Sequence, residues 1–367
     1  RLRQNKNPSM LSMMMMMMLF LMAAILFNVG VCYADLDTSS SSPPDQPVFK
    51  LKSGVSIPLI GMGIGNLPHE SIPQVVNAQL DVGVRLIDTA HASNNEGILG
   101  EAIASFDGGG GVHSNTRGGP TISSHKEVHV VTKVWYTHLG YERTKMSVQE
   151  SLQNLQKAIN RQIFVHVLIH WPRCNDDIPW MNCEEEENNL PPQVKTAGPP
   201  PHLNKYGAFV DSWKALEDLF MEHQNIMNTR KGDKVYPPII ASIGVSNFEL
   251  DDMKKLLETS RVTPHMYQGN SWLVLHDPYL IDFLREHDIF FQSYAVMNGI
   301  LQRRNESPNA YSILSTISRE LMETVYSEEE KSMITEATVL LAYFLNSNVG
   351  VIPRAASSSH QRENSPQ

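Results

Sequence analysis

Short, continuously apolar runs alternate along most of this chain with longer stretches in which apolar residues recur every three or four positions. The runs are LIGMGIG (59–65), VRLIDTA (84–90), VHVVTKV (128–134), FVHVLIHW (164–171), IIASIGVSN (239–247), HMYQGN (265–270), FFQSYAV (290–296) and VGVIPR (349–354). Between them, Val148, Leu152, Leu155 and Ile159, and again Phe209, Trp213, Leu216 and Phe220, fall on one face of a helix. Strands that are apolar throughout are buried on both faces, the signature of a parallel sheet covered by helices. Eight such units predict an α/β fold, a (β/α)8 TIM barrel, over residues 48–367. Two insertions, 107–124 and 223–238, each join a helix to the next strand, which puts them on the bottom face of a barrel. The glycines of the first lack the preceding strand and following helix of a phosphate cradle and read as a flexible linker.

The first residues follow a different pattern. Arg1, Arg3 and Lys6 precede the apolar run MMMMMMLFLMAAILFNVGV, and small residues follow at Cys32 and Ala34. Residues 1–34 therefore read as a secretory signal cleaved before Asp35, the alternative being an uncleaved membrane anchor. Residues 35–47 form a polar linker. Cleavage predicts a location in the secretory pathway, either the ER lumen or outside the cell; retention of the run would tie the protein to a membrane. The 367 residues carry a formal charge of −9 without a basic stripe, which argues against a nucleic-acid partner. Three cysteines are too few for a disulfide scaffold or a Cys-rich zinc site, and no metal site is expected.

In a barrel the carboxyl ends of the strands converge on one mouth. Those ends carry Asp88, Lys133 and His170 on three successive strands, then Ser246 and Asn247, Gln268, Tyr294 and Arg354. Each alone has an ordinary structural explanation. An acid, an amine and an imidazole together read as a proton-handling cluster.

At these residues the chain resembles the aldo-keto reductases. IDTAHASNNE, VVTKVW, VLIHWP, SIGVSNF, the YQ of strand six, SYA and VIPR occur in that family's order over about residues 48 to 364. The resemblance implies hydride transfer from a nicotinamide to a small carbonyl substrate in a monomeric barrel. It implies that Asp88 and Lys133 form a pair serving an acidic tyrosine, and that His170 orients the carbonyl oxygen. A nearby ammonium favours phenolate and moves a phenol down from about pKa 10. The family's tyrosine belongs five residues after the aspartate, where this chain has Ser93. Tyr136 and Tyr141 lie just beyond Lys133, but neither stands at the matching place. By the same resemblance Ser246, Asn247 and Gln268 grip the carboxamide and Tyr294 stacks on the nicotinamide. Arg354 meets the 2′-phosphate, favouring NADP (NADPH) while leaving NAD open, and Glu363 and Asn364 contact adenine. Ala355 and His360 replace usual polar and basic partners, and Gly65 stands where many relatives have a large pocket aromatic.

The loop from Arg173 to about Tyr206 crosses the mouth and brings Trp180, while Trp171 beside His170 reads as a pocket wall. Cys174 and Cys183 are able to bridge in an oxidising compartment. Glu184 to Glu187 read as a solvated loop face. Asn305-Glu306-Ser307 is a glycosylation sequon. The end at Gln367 leads to the expectation of an incomplete eighth helix. The function expected is reduction of an aldehyde or ketone, slowed by the loss of the tyrosine acid. The alternative is a cofactor-binding barrel without turnover, acting as a regulatory or interaction module.

Overall fold

The structure, a computed structural model, describes residues 46–106, 127–158, 161–204, 207–229, 237–306 and 308–354, with His360 and Asn364. The N-terminal segment, the glycine-rich insertion, the sequon's Ser307, Glu363 and the start of an eighth helix lie outside the described residues. No described helix is long and apolar enough to cross a membrane.

A two-stranded antiparallel hairpin, β1 (Val48–Lys50) and β2 (Ser56–Pro58), comes first. Eight parallel strands follow: β3 (Met62–Gly63), β4 (Leu86–Asp88), β5 (Glu127–Val134), β6 (Gln162–Ile169), β7 (Ile239–Ser246), β8 (Met266–Asn270), β9 (Phe290–Tyr294) and β10 (Gly350–Val351). They pair in sequence order, and a parallel bridge from Ile60 to Val351 joins first to last. The barrel expected from the eight apolar runs is thus formed.

Of the two helix-spaced apolar sets, the second is buried throughout; in the first, Leu152 is half-buried and Ile159 lies outside the described residues. Helix Tyr141–Leu155 buries Val148 and Leu155, and helix Ala208–Thr229 buries Phe209, Trp213, Leu216 and Phe220. The second helix runs into the expected insertion at 223–238, since its pattern continues past His223 without a breaker. Helix Leu250–Thr259 starts on a capping box between Glu249 and Asp252, which satisfies two otherwise orphaned backbone N–H groups.

Inside the barrel, strand faces alternate between interior and helix layer. Leu86, Val131, Leu168, Met266, Phe290 and Ile352 pack there with Leu51, Ile57 and Leu59 from the hairpin region. Phe49 stacks on Phe290 at 4.6 Å. The hairpin therefore plugs the amino end with apolar side chains, and the carboxyl end is left as the open mouth.

Candidate active site

Strand register builds the site. Asp88 sits opposite Val131 across β4 and β5, and Lys133 is the next residue on that face of β5. The Lys133 Nζ donates to Asp88 Oδ1 at 2.6 Å and to the Thr89 carbonyl at 2.7 Å. Gln268 of β8 donates Nε2 to the same Asp88 oxygen at 2.7 Å and to Gln292 Oε1 at 2.8 Å. Lys133 is only 4% exposed. A charge so far withdrawn from water is sustained only by a close counter-charge and further hydrogen bonds, which this arrangement supplies.

His170 follows β6, its backbone N–H bonded to Val134 O at 3.0 Å. Its ring meets the edge of Trp135 at 4.9 Å, and its buried Nδ1 has no hydrogen-bond partner among the described residues. Burial first, and the Lys133 ammonium second, hold its pKa well below the ordinary histidine value. The imidazole is therefore neutral at working pH, suited to orienting an oxygen rather than carrying charge.

Asn247 follows β7 in the left-handed region at φ 59°, which asparagine tolerates better than most residues. This turn lets its Nδ2 donate to His170 O at 3.0 Å and Ser246 Oγ at 3.1 Å, while its Oδ1 accepts from Tyr294 OH at 2.6 Å. Burial pushes the Tyr294 phenol up to about 12, so it remains a donor. Ser246 is wholly buried and supports Asn247 from behind rather than lining the opening.

These side chains border a cleft of about 710 Å³. Asp88, Ser93, Lys133, His170, Trp171, Trp180, Asn247, Gln268, Tyr294 and Arg354 all line it. Asn364 is buried and carries a backbone bond to His360 O, but does not line the cleft. Ser93 closes a single turn, His91–Ser93, whose carbonyl lies 3.2 Å from His69 Nε2. A Cβ built on Gly65 would stand 3.4 Å from Ser93 Oγ, so the two positions share one wall of the cleft. Both carry little side chain, and that wall is open.

The lining suits the nicotinamide end of a dinucleotide. A flat phenol ring and two amides offer stacking and hydrogen bonds to a carboxamide without charge. The orphaned His170 Nδ1 beside them is a buried atom that a bound polar group would satisfy. Arg354, exposed on the rim, suits a phosphate.

Several lining residues escape the sequence reading: Asn66, Trp135, Val296, Met297, Asn298 and Gln302. Trp135 was within reach, because it lies two residues beyond Lys133 and so shares its strand face. The expectation that Glu184 to Glu187 form a solvated face holds for only the first two. Glu186 accepts from Trp135 Nε1 at 2.7 Å and from the Tyr136 hydroxyl. Glu187 is buried in a two-pronged pair with Arg143, at 2.8 and 2.9 Å. Helix Cys183–Asn189 turns these two inward. Tyr136 is spent on Glu186, and Tyr141 on Asp218 Oδ2 at 2.7 Å; neither lines the cleft. Cys174 and Cys183 form a disulfide.

Comparison with known proteins agrees with this geometry. The sequence profile of the aldo/keto reductase family matches residues 60–365. An aldose reductase from Encephalitozoon cuniculi is 25% identical over 318 residues, 86% of each chain. An NADH-dependent D-xylose reductase from Candida parapsilosis is 24% identical, covering 88% of each. Among solved structures, the Bombyx mori aldo-keto reductase in complex with NADP superposes with a TM-score of 0.60 at 19% identity, covering 88% of this chain and 87% of that one. An aldo/keto reductase from Brucella melitensis gives a TM-score of 0.58 at 24% identity, covering 87% and 92%.

Proposed function

Because the chain belongs to the aldo/keto reductase family, we propose that it binds NADP(H) in the barrel mouth and slowly reduces an aldehyde or ketone, with Ser93 at the position of the family's acidic tyrosine. The observation that carries this reading is the buried Lys133–Asp88 pair opening onto the same cleft as His170. The bound nicotinamide would supply the hydride. Tyr294 would hold the flat ring, and Asn247 and Gln268 its carboxamide. Arg354 would take the 2′-phosphate, with NAD the weaker cofactor.

The chain's own residues then deal with the oxygen. A carbonyl gaining hydride develops negative charge, which a fixed ammonium at Lys133 and a ring N–H at His170 stabilise without reorganisation. The proton is the weak point. Ser93 offers an aliphatic hydroxyl, a far weaker acid than a phenol and shorter by a ring. His170, held neutral, has no spare proton. A water held between Ser93 and Lys133 is the donor that remains. Loss of a positioned acid costs about 10²–10⁴ in rate, or about 3–5.5 kcal/mol of barrier.

The test is to titrate the protein with NADPH by fluorescence and then screen aldehydes and ketones for NADPH consumption. Turnover that vanishes in His170→Ala is expected. Binding without turnover above a Lys133→Met control would instead assign the protein to the cofactor-binding module class. We also propose that the protein works in the secretory pathway. The apolar segment before Asp35 and the Cys174–Cys183 bridge support this, since disulfides persist in oxidising compartments. Recovery of the full chain in the cytosolic fraction, uncleaved and reduced, would contradict it.

A further inference from the structure

Among the aromatic residues of the mouth, Trp180 stands apart. It lines the cleft, yet it is 55% exposed, and it comes from a loop rather than a strand end. Its ring stacks at 29° on Trp135 with centroids 6.2 Å apart and meets Trp171 edge-on at 5.6 Å. Trp135 and Trp171 in turn flank His170, at 4.9 and 6.5 Å. Three indoles thus form a continuous wall leading inward to the imidazole. The outermost presents an uncovered face to whatever enters.

The loop that carries Trp180 is tied down at every joint. Before it, Arg173 pairs with Asp252. After it, Glu186 takes the hydrogen bonds of Trp135 and Tyr136, and Glu187 is held by Arg143. Across it, the Cys174–Cys183 bridge joins two buried cysteines nine positions apart in the sequence. Inside that span the Met181 side chain is buried, and the Cys183 N–H donates to Asp176 Oδ1 at 3.2 Å. Trp180 is the large side chain this closure leaves facing the opening. A short covalent loop restricts the states available to it, so an otherwise mobile indole is kept near one place.

We propose that Trp180, held by the Cys174–Cys183 bridge, is a specificity-determining residue that makes the mouth select flat aromatic carbonyl compounds over aliphatic ones of similar size. This rests on the reading of the cleft as a carbonyl site and names its substrate class. An aryl ring entering the mouth covers the exposed indole face and stacks at the separation aromatic rings prefer, whereas an alkyl chain gains contact area alone. The bridge also makes the preference sensitive to redox state. A dithiol such as dithiothreitol breaks the S–S bond by giving two electrons and two protons. Two thiols form on the loop and the reagent closes to its own disulfide.

The test uses the full protein with saturating NADP+, which cannot donate hydride, titrated by calorimetry with 2-naphthaldehyde and with hexanal. The readout is the ratio of their dissociation constants. Trp180→Ala lowers the preference for the aryl aldehyde about tenfold, equivalent to about 1.4 kcal/mol, and Trp180→Phe restores most of it. Dithiothreitol lowers the preference severalfold in the wild type and leaves a Cys174→Ser/Cys183→Ser double variant, already low, unchanged. A ratio unaltered by Trp180→Ala overturns the role of the indole. A ratio unaltered by dithiothreitol overturns the role of the bridge. If NADP+ gives no heat and no carbonyl is turned over, the reductase reading fails, while the aryl preference is still read on the protein alone.

Discussion

The two ends of this barrel treat charge in opposite ways. At the mouth, Lys133 and Asp88 are buried as a 2.6 Å ion pair. Four residues before Lys133 on β5 and before His170 beyond β6, roughly 13 Å further down, the same interior face carries His129 and His166. Their rings are linked at 3.0 Å, and His166 reaches Ser242 Oγ at 2.7 Å. No carboxylate joins that chain among the bonds described. Burial alone lowers His129 to about 3, and burial and the neighbouring histidines hold His166 well below the usual value. One end pays for charge with a counter-charge, and the other excludes charge by desolvation.

Acid is the strongest way to break this contrast. His129, and His138 and His265 at about 4, have folded pKa values below the ordinary 6.5 of the unfolded chain. The unfolded state therefore takes up protons first as pH falls. Stability is complete above about pH 6.5 and lost below it, at about 1.4 kcal/mol per pH unit for each histidine and about 4 for the three. Denaturant midpoints between pH 7 and 5 check this. A His129→Leu/His166→Leu pair should flatten the slope, because the desolvated imidazoles are gone.

A second contrast lies within the mouth. Its strand-end wall is complete, whereas the wall made by Ser93 and Gly65 is open. Ser93→Tyr should close it and raise NADPH-dependent carbonyl reduction at least tenfold, towards the 10²–10⁴ that a positioned acid contributes. Lys133→Met attacks the finished wall. It should abolish any NADPH-dependent carbonyl reduction, and it leaves Asp88 buried without its partner, costing about 3–5 kcal/mol of stability, measured by thermal or urea unfolding. The smallest effect belongs to the rim. Arg354→Ala should weaken NADPH binding about fivefold, as an exposed charge pair does, and leave NADH binding unchanged.

What could be read from the sequence follows the same division. Asp88, Lys133, His170 and Gln268 were legible because a strand end in a barrel has only one place to point. Loops carry no such rule. The pairing of Glu187 with Arg143 depends on a helix, Cys183–Asn189, only seven residues long and too short to show a period. Ser246 lies at the right strand end yet is wholly buried, because Asn247 turns back over it and takes its place at the cleft. The hairpin at 48–58 also went unread, although Ser53-Gly54 between two short apolar runs, with Gly54 at φ 86°, is a turn signal.

The most direct test of the central claim is a double-mutant cycle on single-turnover NADPH oxidation by an aldehyde. If the mouth retains an ammonium poised to acidify a phenol at position 93, Ser93→Tyr gives its gain of tenfold or more only while Lys133 is present. Combined with Lys133→Met in a folded protein, it gives none. An equal gain in both backgrounds, or no gain in either, would contradict the account.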